Sequence, residues 1–386
     1  MLDPGTVAQP HIPMALPTEN RQRIARLTPL DDILRHIEKV RPVAAGEVPA
    51  AAAVGATLAQ DIVLAEARPA LPIALIDGFA VRAEATADAG AYAPAALPEA
   101  REVEVGDTLP PETDAVAPHG TVTQRGGQYE AHQRLTAGDG VLMGGVDVAA
   151  GEVLRPAGAR LRLVDSAALL ALGIASVTVR RPRLRVYQTR KERDPIGYAI
   201  RRWLGHAIAA DGGDPLAADQ AADIGAIMDD DRVDGAIIIG GTGSGSRDHA
   251  VEALAQAGTV MAHGIALTPG ETSAFGMLKA RPVLLVPGRL DAAVAAWFLI
   301  GRTMLARLRA GGDDEPASDC ILKAKVTSTV GLTELFLVQR TGEEVEPLAS
   351  KYLPFAMLSR ADGWFVVPAT SEGLRPGTRV KVRALP

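Results

Sequence analysis

The stretch Gly235-Ala236-Ile237-Ile238-Ile239-Gly240-Gly241-Thr242-Gly243-Ser244-Gly245-Ser246-Arg247-Asp248 restricts the fold more than any other part of the chain. Three isoleucines in a row, with no polar alternation, predict a strand buried on both faces of a parallel sheet. The run stops at a turn built on Gly240, Gly241, Gly243 and Gly245. Beyond it Val251, Leu254 and Ala255 fall at helical spacing, so the segment reads strand, glycine turn, helix. Glycine permits φ > 0 and lets a ligand approach the backbone. The following helix would aim unsatisfied N–H groups and the positive end of its dipole at the same spot. Gly240, Gly241, Thr242, Gly243, Ser244, Gly245 and Ser246 are therefore candidates for an anion site, phosphate above all. A plain strand-to-helix turn fits the same residues. The pattern is neither GxxxxGK[ST] nor GxGxxG, so the common nucleotide motifs do not apply.

The surroundings extend this picture. Strand-like and helical segments alternate over 182–310, as in a doubly wound α/β domain. Strands are predicted at 184–188, 235–239, 265–267 and 283–286, with helices at 196–208, near 218–228, after Asp248 and over 291–308. Ligands of such domains bind beyond the carboxyl ends of the strands. Thr189, the 240–246 turn, Pro269-Gly270 and Pro287-Gly288 each follow an apolar run and are expected there.

The rest of the chain is different. Residues 1–26 are rich in Pro, Gln and Arg and read as a flexible arm. Thr28 as N-cap, Pro29 at the first helical position, and Asp31 and Asp32 after it predict a helix start. The stretch 42–180 breaks into short strands and turns, with a small β lobe at about 84–150. Within it Asp77-Gly78 is either a type I′ hairpin turn or a carboxylate with a chemical role. A charged Gly/Pro stretch at 311–318 reads as a linker, and 319–386 as a small all-β domain.

Composition narrows the function classes. The chain has 386 residues, which at ~100–200 per domain suggests two to four domains. Its net charge of −6 and unclustered basic residues give no footprint for nucleic acid. The single cysteine, Cys320, excludes a disulfide framework and a cysteine-based zinc site. Neither a signal peptide nor an apolar run of ~20 residues is present, so no membrane partner and a cytoplasmic location are expected.

Taken together, these segments resemble the MoeA/gephyrin family of molybdopterin molybdenumtransferases, collinearly over about 28–384. The family's S-x-x-D-G-Y-A-V-R is similar to 73–82, keeping Asp77-Gly78-Phe79-Ala80-Val81-Arg82. Its T-G-A-x-L-P-x-G-A-D-A-V-V resembles 105–117. Its R-x-x-G-E-D-V-x-x-G-E-V-L resembles 142–154, keeping Asp147 and Gly151-Glu152-Val153-Leu154. The strand-end S-T-G-D-E-L is Gln188-Thr189-Arg190-Lys191-Glu192-Arg193, and S-G-G-V-S-V-G-D-Y-D looks like 239–248. M-K-P-G-K-P becomes Leu267-Thr268-Pro269-Gly270-Glu271-Thr272, L-P-G-N-P becomes 286–290, and L-A-R-A-D-G resembles 358–363.

The resemblance implies a multidomain α/β plus β subunit. It comprises an N-terminal helix and β-rich region (27–180) with an inserted β lobe, a MogA-like α/β domain (181–310) and a C-terminal β-barrel (319–386). It implies an elongated homodimer with a site shared between subunits, which binds adenylated molybdopterin with Mg²⁺ and molybdate, hydrolyses the adenylyl phosphoanhydride and leaves molybdenum on the dithiolene. Carried over, Asp77, Asp147, Glu192 and Asp248 are the catalytic carboxylates, with Glu192 and Asp248 also the Mg²⁺ ligands.

Departures fall on the chemistry. The two family lysines are Thr268 and Glu271, and the first carboxylate after the glycine turn is Ser246. The arginine of R-x-x-G-E-D is Leu142, that of G-R-x-E is Leu332, and the threonine of T-G-A is Val105. Arg190, Lys191, Arg193 and Arg247 add positive charge nearby and are either replacement cations or ordinary solvated charges. Three readings follow: a molybdopterin-binding protein with weakened molybdenum insertion, a non-catalytic cofactor carrier or accessory protein for one molybdoenzyme, and a gephyrin-like structural module.

Overall fold

In a computed structural model, residues 22–189, 194–217, 224–246, 248–312 and 316–385 are described. They form two compact units, one of 22–46, 55–57 and 180–385, the other of 47–54 and 58–179.

The first unit carries the α/β domain. Helix α1 (Leu30–Glu38) precedes strand β1 (Arg183–Gln188), helix α2 (Pro195–Ala210), β2 (Asp214–Ala217) and β3 (Gly235–Ile239). Then come α3 (Ala250–Ala257), β4 (Thr259–His263), the short β5 (Leu267–Thr268), β6 (Ala274–Leu278) and β7 (Arg281–Val286). Helices α4 (Leu290–Ala296) and α5 (Arg302–Leu308) are joined by a π turn, Trp297–Gly301, in place of one predicted helix. The sheet runs β2-β1-β3-β7-β6-β4. Its first four strands are parallel, while β6 is antiparallel to both of its neighbours. The central strand is buried on both faces, as its lack of alternation predicts. Ile237 and Ile239 pack into one core with Leu204, Leu284 and Trp297, while Ile238 packs into another with Val251, Leu254 and Leu285.

Two expectations are corrected here. The strand expected at 265–267 is β5, at Leu267–Thr268, and it leaves the α/β sheet to run parallel to Thr333 and Glu334 of a second sheet. Of the helix expected near 218–228, the described part is a 3₁₀ helix, Ile224–Met228.

That second sheet is the C-terminal β-barrel. Strands β8 (Ala317–Leu322), β9 (Thr333–Thr341), β10 (Glu344–Ala349), β11 (Gly363–Val367) and β12 (Arg379–Ala384) close in the order β9-β10-β8-β12-β11 and back to β9. Closure removes free edges. Cys320 is 1% exposed in its core, beside Phe336, Phe365 and Val382.

Of the flexible arm expected at 1–26, residues 1–21 lie outside the described residues, and the described part with the residues after it is more constrained than its composition suggests. Thr28 does not cap α1, whose N-cap is Pro29. Its N–H donates to the Gly264 carbonyl at 2.9 Å and its carbonyl accepts from Ala266 N–H at 2.8 Å. With its carbonyl taken by Ala266, Thr28 does not accept the first intrahelical bond as an N-cap residue does.

In the other unit, Gly78–Val81 lies between Arg101–Val103 and Ala115–Pro118, whereas Ile73–Ala74 pairs with Val141–Leu142. The strands on either side of Asp77-Gly78 therefore do not pair with each other. Gly78 also lacks the positive φ of a type I′ turn. Its need for glycine is steric, because a Cβ there would overlap the Ala117 carbonyl oxygen. The hairpin reading of Asp77-Gly78 is discarded.

Candidate functional site

The carboxyl ends of β1, β3 and β7 lie side by side, with Gln188 opposite Ile239 and Ile239 opposite Val286. Just past them, Thr189 donates both its N–H and its hydroxyl to the Ile239 carbonyl, each at 3.1 Å. Gly240 N–H donates to the Val286 carbonyl at 2.9 Å. Gly288 faces Gly240, since a Cβ built on Gly288 would sit 3.7 Å from the Gly240 Cα. Thr189, Gly240 and Pro287-Gly288 thus stand together at the strand ends, where the α/β pattern places them.

The turn itself is shaped by backbone geometry. Gly240 and Gly241 have φ of 83° and 73°. The Gly241 carbonyl accepts the N–H of Ala250, the first residue of α3, at 3.1 Å. Helix and turn are so close that a Cβ on Gly241 would lie 2.8 Å from the Ala250 Cβ. The N–H groups of Gly241, Thr242, Gly243 and Ser244 meet no acceptor among the described residues. Four consecutive donors with no acceptor among the described residues, ahead of a helix N-terminus, are the kind of arrangement that can bind an anion.

The carbonyls of Gly241, Thr242, Gly243, Gly245 and Ser246 in the same turn each accept a hydrogen bond. Gln22 Nε2 donates to the Gly241 and Gly243 oxygens, each at 2.7 Å. His263 Nε2 lies 2.9 Å from the Thr242 oxygen, and His249 Nε2 2.9 Å from that of Ser246. A carbonyl only accepts, so both imidazoles carry the proton on Nε2. The buried Thr242 hydroxyl meets that of Thr272 at 3.1 Å. Asp248 Oδ2 accepts the Gly245 N–H at 3.1 Å, so this carboxylate ties off the far end of the turn. Ser244, Gly245 and Ser246 are exposed.

Pro269-Gly270 follows β5, which is hydrogen-bonded to the barrel, and not a strand of the α/β sheet as expected. Thr268 is 3% exposed there. The Glu271 carboxylate turns back on its own backbone and accepts the Gly270 N–H at 3.1 Å. A cation that sequence reasoning passed over stands nearby. Arg289 reaches Asp291 through Nε to Oδ1 at 3.1 Å and Nη2 to Oδ2 at 2.5 Å, and its guanidinium lies 5.4 Å from the Tyr352 ring centre. Its bonds to Asp291 raise the guanidinium pKa; burial opposes this, while charge–charge attraction to Asp291 and Glu271 adds to it. The signal was in the sequence, because Arg289 occupies the Asn position of L-P-G-N-P. Gln22 and His263 carry no comparable local signal.

Asp77 and Asp147 belong to the other unit and are both exposed. Asp77 Oδ1 accepts the Val105 N–H at 2.8 Å. Glu192, with Arg190, Lys191, Arg193 and Arg247, lies outside the described residues. Among the described residues no cluster of three or more His, Cys, Asp or Glu side chains could hold a metal, and no helix is long and apolar enough to cross a membrane.

A family model described as the MoeA N-terminal region (domain I and II) matches residues 21–173, and one described as a probable molybdopterin binding domain matches 177–307. The chain is 28% identical over 388 aligned positions to molybdopterin molybdenumtransferase 2 of Mycobacterium tuberculosis, covering 87% of this chain and 94% of that one. It is similar to the crystal structure of the molybdopterin biosynthesis MoeA protein from Pyrococcus horikosii, with a TM-score of 0.71 and 26% identity over 93% of this chain and 99% of that one.

Proposed function

This chain belongs to the MoeA-like proteins of molybdenum cofactor biosynthesis, and from that premise we propose that its 240–246 turn holds the phosphate of molybdopterin, free or adenylated. The observation that carries the reading is the row of four N–H groups from Gly241 to Ser244, ahead of α3, that meet no acceptor among the described residues. Thr189, Gly240, Pro287 and Gly288 line the neighbouring strand ends, and Pro269-Gly270 shapes the turn after β5. This assigns 181–310 the pterin-binding role, with 27–180 and 319–386 as the flanking regions.

Mg²⁺ commonly takes one or two carboxylates and completes its shell with water and substrate phosphates. Asp248 fits as one such ligand, although Oδ2 is engaged by Gly245, and Glu192 is the second candidate. A bound Mg²⁺ would neutralise phosphate charge; the protein's own part is to present N–H donors and exclude competing geometries. Asp77 and Asp147 are the carboxylates we assign to a partner subunit's site in a homodimer. Sedimentation at micromolar protein should therefore give a species of twice 40.2 kDa, and a monomer alone would remove that assignment.

Molybdenum insertion is weakened in this reading, because Thr268 and Glu271 stand where the family has lysines. The same substitutions favour a second reading, in which the protein carries the finished cofactor to a molybdoenzyme without catalysing its assembly. Two measurements separate the cases. Mass spectrometry of the small molecule that co-purifies should find molybdopterin or its adenylate, and finding no pterin would sink both readings. Restoration of cofactor synthesis in a cytoplasm lacking its molybdenumtransferase would favour the enzyme over the carrier.

A further inference from the structure

Gln22 lies far from the glycine turn in sequence, separated from Gly241 by 219 positions, yet its side chain is built into the turn. The residue is 8% exposed, and its Nε2 donates to the carbonyls of Gly241 and Gly243. Exchanging the amide's N and O would set an acceptor against two acceptors, so this assignment follows from the network. Oε1 is buried and meets no donor among the described residues. Burying an amide with one end unsatisfied carries a cost that asks for a reason.

The planar peptide supplies the reason. The carbonyl of one residue and the N–H of the next share a plane and point in opposite directions. Drawing the Gly241 and Gly243 carbonyls toward Gln22 turns the N–H groups of Thr242 and Ser244 the other way. His263 acts alike on the intervening peptide, taking the Thr242 carbonyl and turning the Gly243 N–H outward from itself. The segment bearing Gln22 is seated independently. Thr28 pairs with Gly264 and Ala266, and Ile24 and Leu27 pack where a Cβ on Gly264 would otherwise lie.

We propose that Gln22 is a positioning residue of the molybdopterin site, which pre-orients the Thr242 and Ser244 N–H donors toward the phosphate by holding the two carbonyls behind them. This rests on the reading of the turn as a phosphate site. Preorganised donors cost no reorganisation when the anion arrives, and at these flexible glycines Gln22 adds to the hold that the Ala250 N–H already has on the Gly241 carbonyl.

The test uses the full-length protein with Gln22→Leu and Gln22→Glu, and molybdopterin as the probe. Leucine removes the donor. A glutamate carboxylate at this position sets negative charge against two carbonyls, whereas its protonated form regains one O–H donor. At pH 7.5 both variants should bind molybdopterin roughly ten-fold more weakly than wild type, the order expected when two hydrogen bonds are lost. As pH falls toward 5, the deficit of Gln22→Glu relative to wild type should shrink while that of Gln22→Leu stays constant. Wild-type affinity in both variants, or equal loss at every pH, would overturn the proposal. A second readout needs no ligand. Amide dipolar couplings of Thr242 and Ser244, which report peptide-plane direction, should change in Gln22→Leu; unchanged couplings would also overturn it. If wild type binds no molybdopterin while the couplings still change, the pterin reading fails and the positioning of the turn survives.

Discussion

Given adenylated molybdopterin, Mg²⁺ and molybdate, the protein is expected to release AMP and form active cofactor at least ~10²-fold more slowly than an ordinary MoeA enzyme, the loss typical of removing one pre-placed group from such a site. The cause is electrostatic. A site for two anionic species needs compensating cations, and Glu271 replaces a positive charge by a negative one. At ~4 Å in an effective dielectric of ~20, a unit charge pair is worth about 4 kcal/mol before screening, so the sign of this change outweighs modest rearrangements. Arg289 does not restore the balance unaided, because the Asp291 carboxylate already offsets its charge through Nε and Nη2.

The two lysine positions differ in what reversal can achieve. Thr268 is 3% exposed in β5, where a lysine would have to bury its charge or displace the strand. Glu271 is only partly buried and touches its own turn, so Glu271→Lys should raise insertion by roughly ten-fold or more, again on the scale of one such charged group. Initial rates of AMP release check both statements. Turnover at the level of an ordinary family member would refute the first, and Arg289→Ala and Arg190→Ala would then identify which arginine supplies the missing cation.

The second large effect is expected at Gly241. Gly241→Val should lower molybdopterin affinity by at least ~10²-fold, measured by equilibrium binding. Two independent obstacles combine. At φ 73° a β-branched residue is a genuine outlier, with a left-handed penalty of roughly 1–2 kcal/mol or more. A Cβ also meets the Ala250 Cβ at 2.8 Å, and that atom is fixed in the first turn of α3. Together they displace the turn from the helix and scatter its four donors. The obstacle is thus the protein itself, and not the ligand volume that a sequence argument would assign to the glycine.

Gly243→Ala should be milder. Gly243 has no positive φ, and the new Cβ meets only the Asp248 Oδ2 at 2.7 Å, the far end of a side chain that can move at the expense of its bond to Gly245. Gly120→Ala, with nothing within 4 Å, should bind as wild type. Equal affinities for Gly241→Val and Gly120→Ala would contradict this account of the turn.

The strand at Gly235–Ile239, the glycine turn, the helix after it and the β-rich C-terminal region are legible in the residues alone. Each is a local matter of spacing, since an unbroken isoleucine run has no polar face to expose and clustered glycines cannot continue a strand. The same spacing located Thr189 and Pro287-Gly288, because β1, β3 and β7 are parallel neighbours ending at one edge.

Most of the remaining features depend on contacts between segments far apart in the chain. No local rule says that β5 joins the barrel, so neither the sheet that Pro269-Gly270 follows nor the burial of Thr268 is legible in the residues. The Asp77-Gly78 pair carries the signature of a hairpin, yet its flanking strands found other partners and Gly78 is needed for the closeness of Ala117. Arg289 carries no local sign of its partner, and the structure pairs it with Asp291 at 2.5 Å. Gln22 is the extreme case. Its side chain reports nothing about its neighbours, and what it does depends on a hydrogen bond across 219 positions, fixed by the summed packing of everything between.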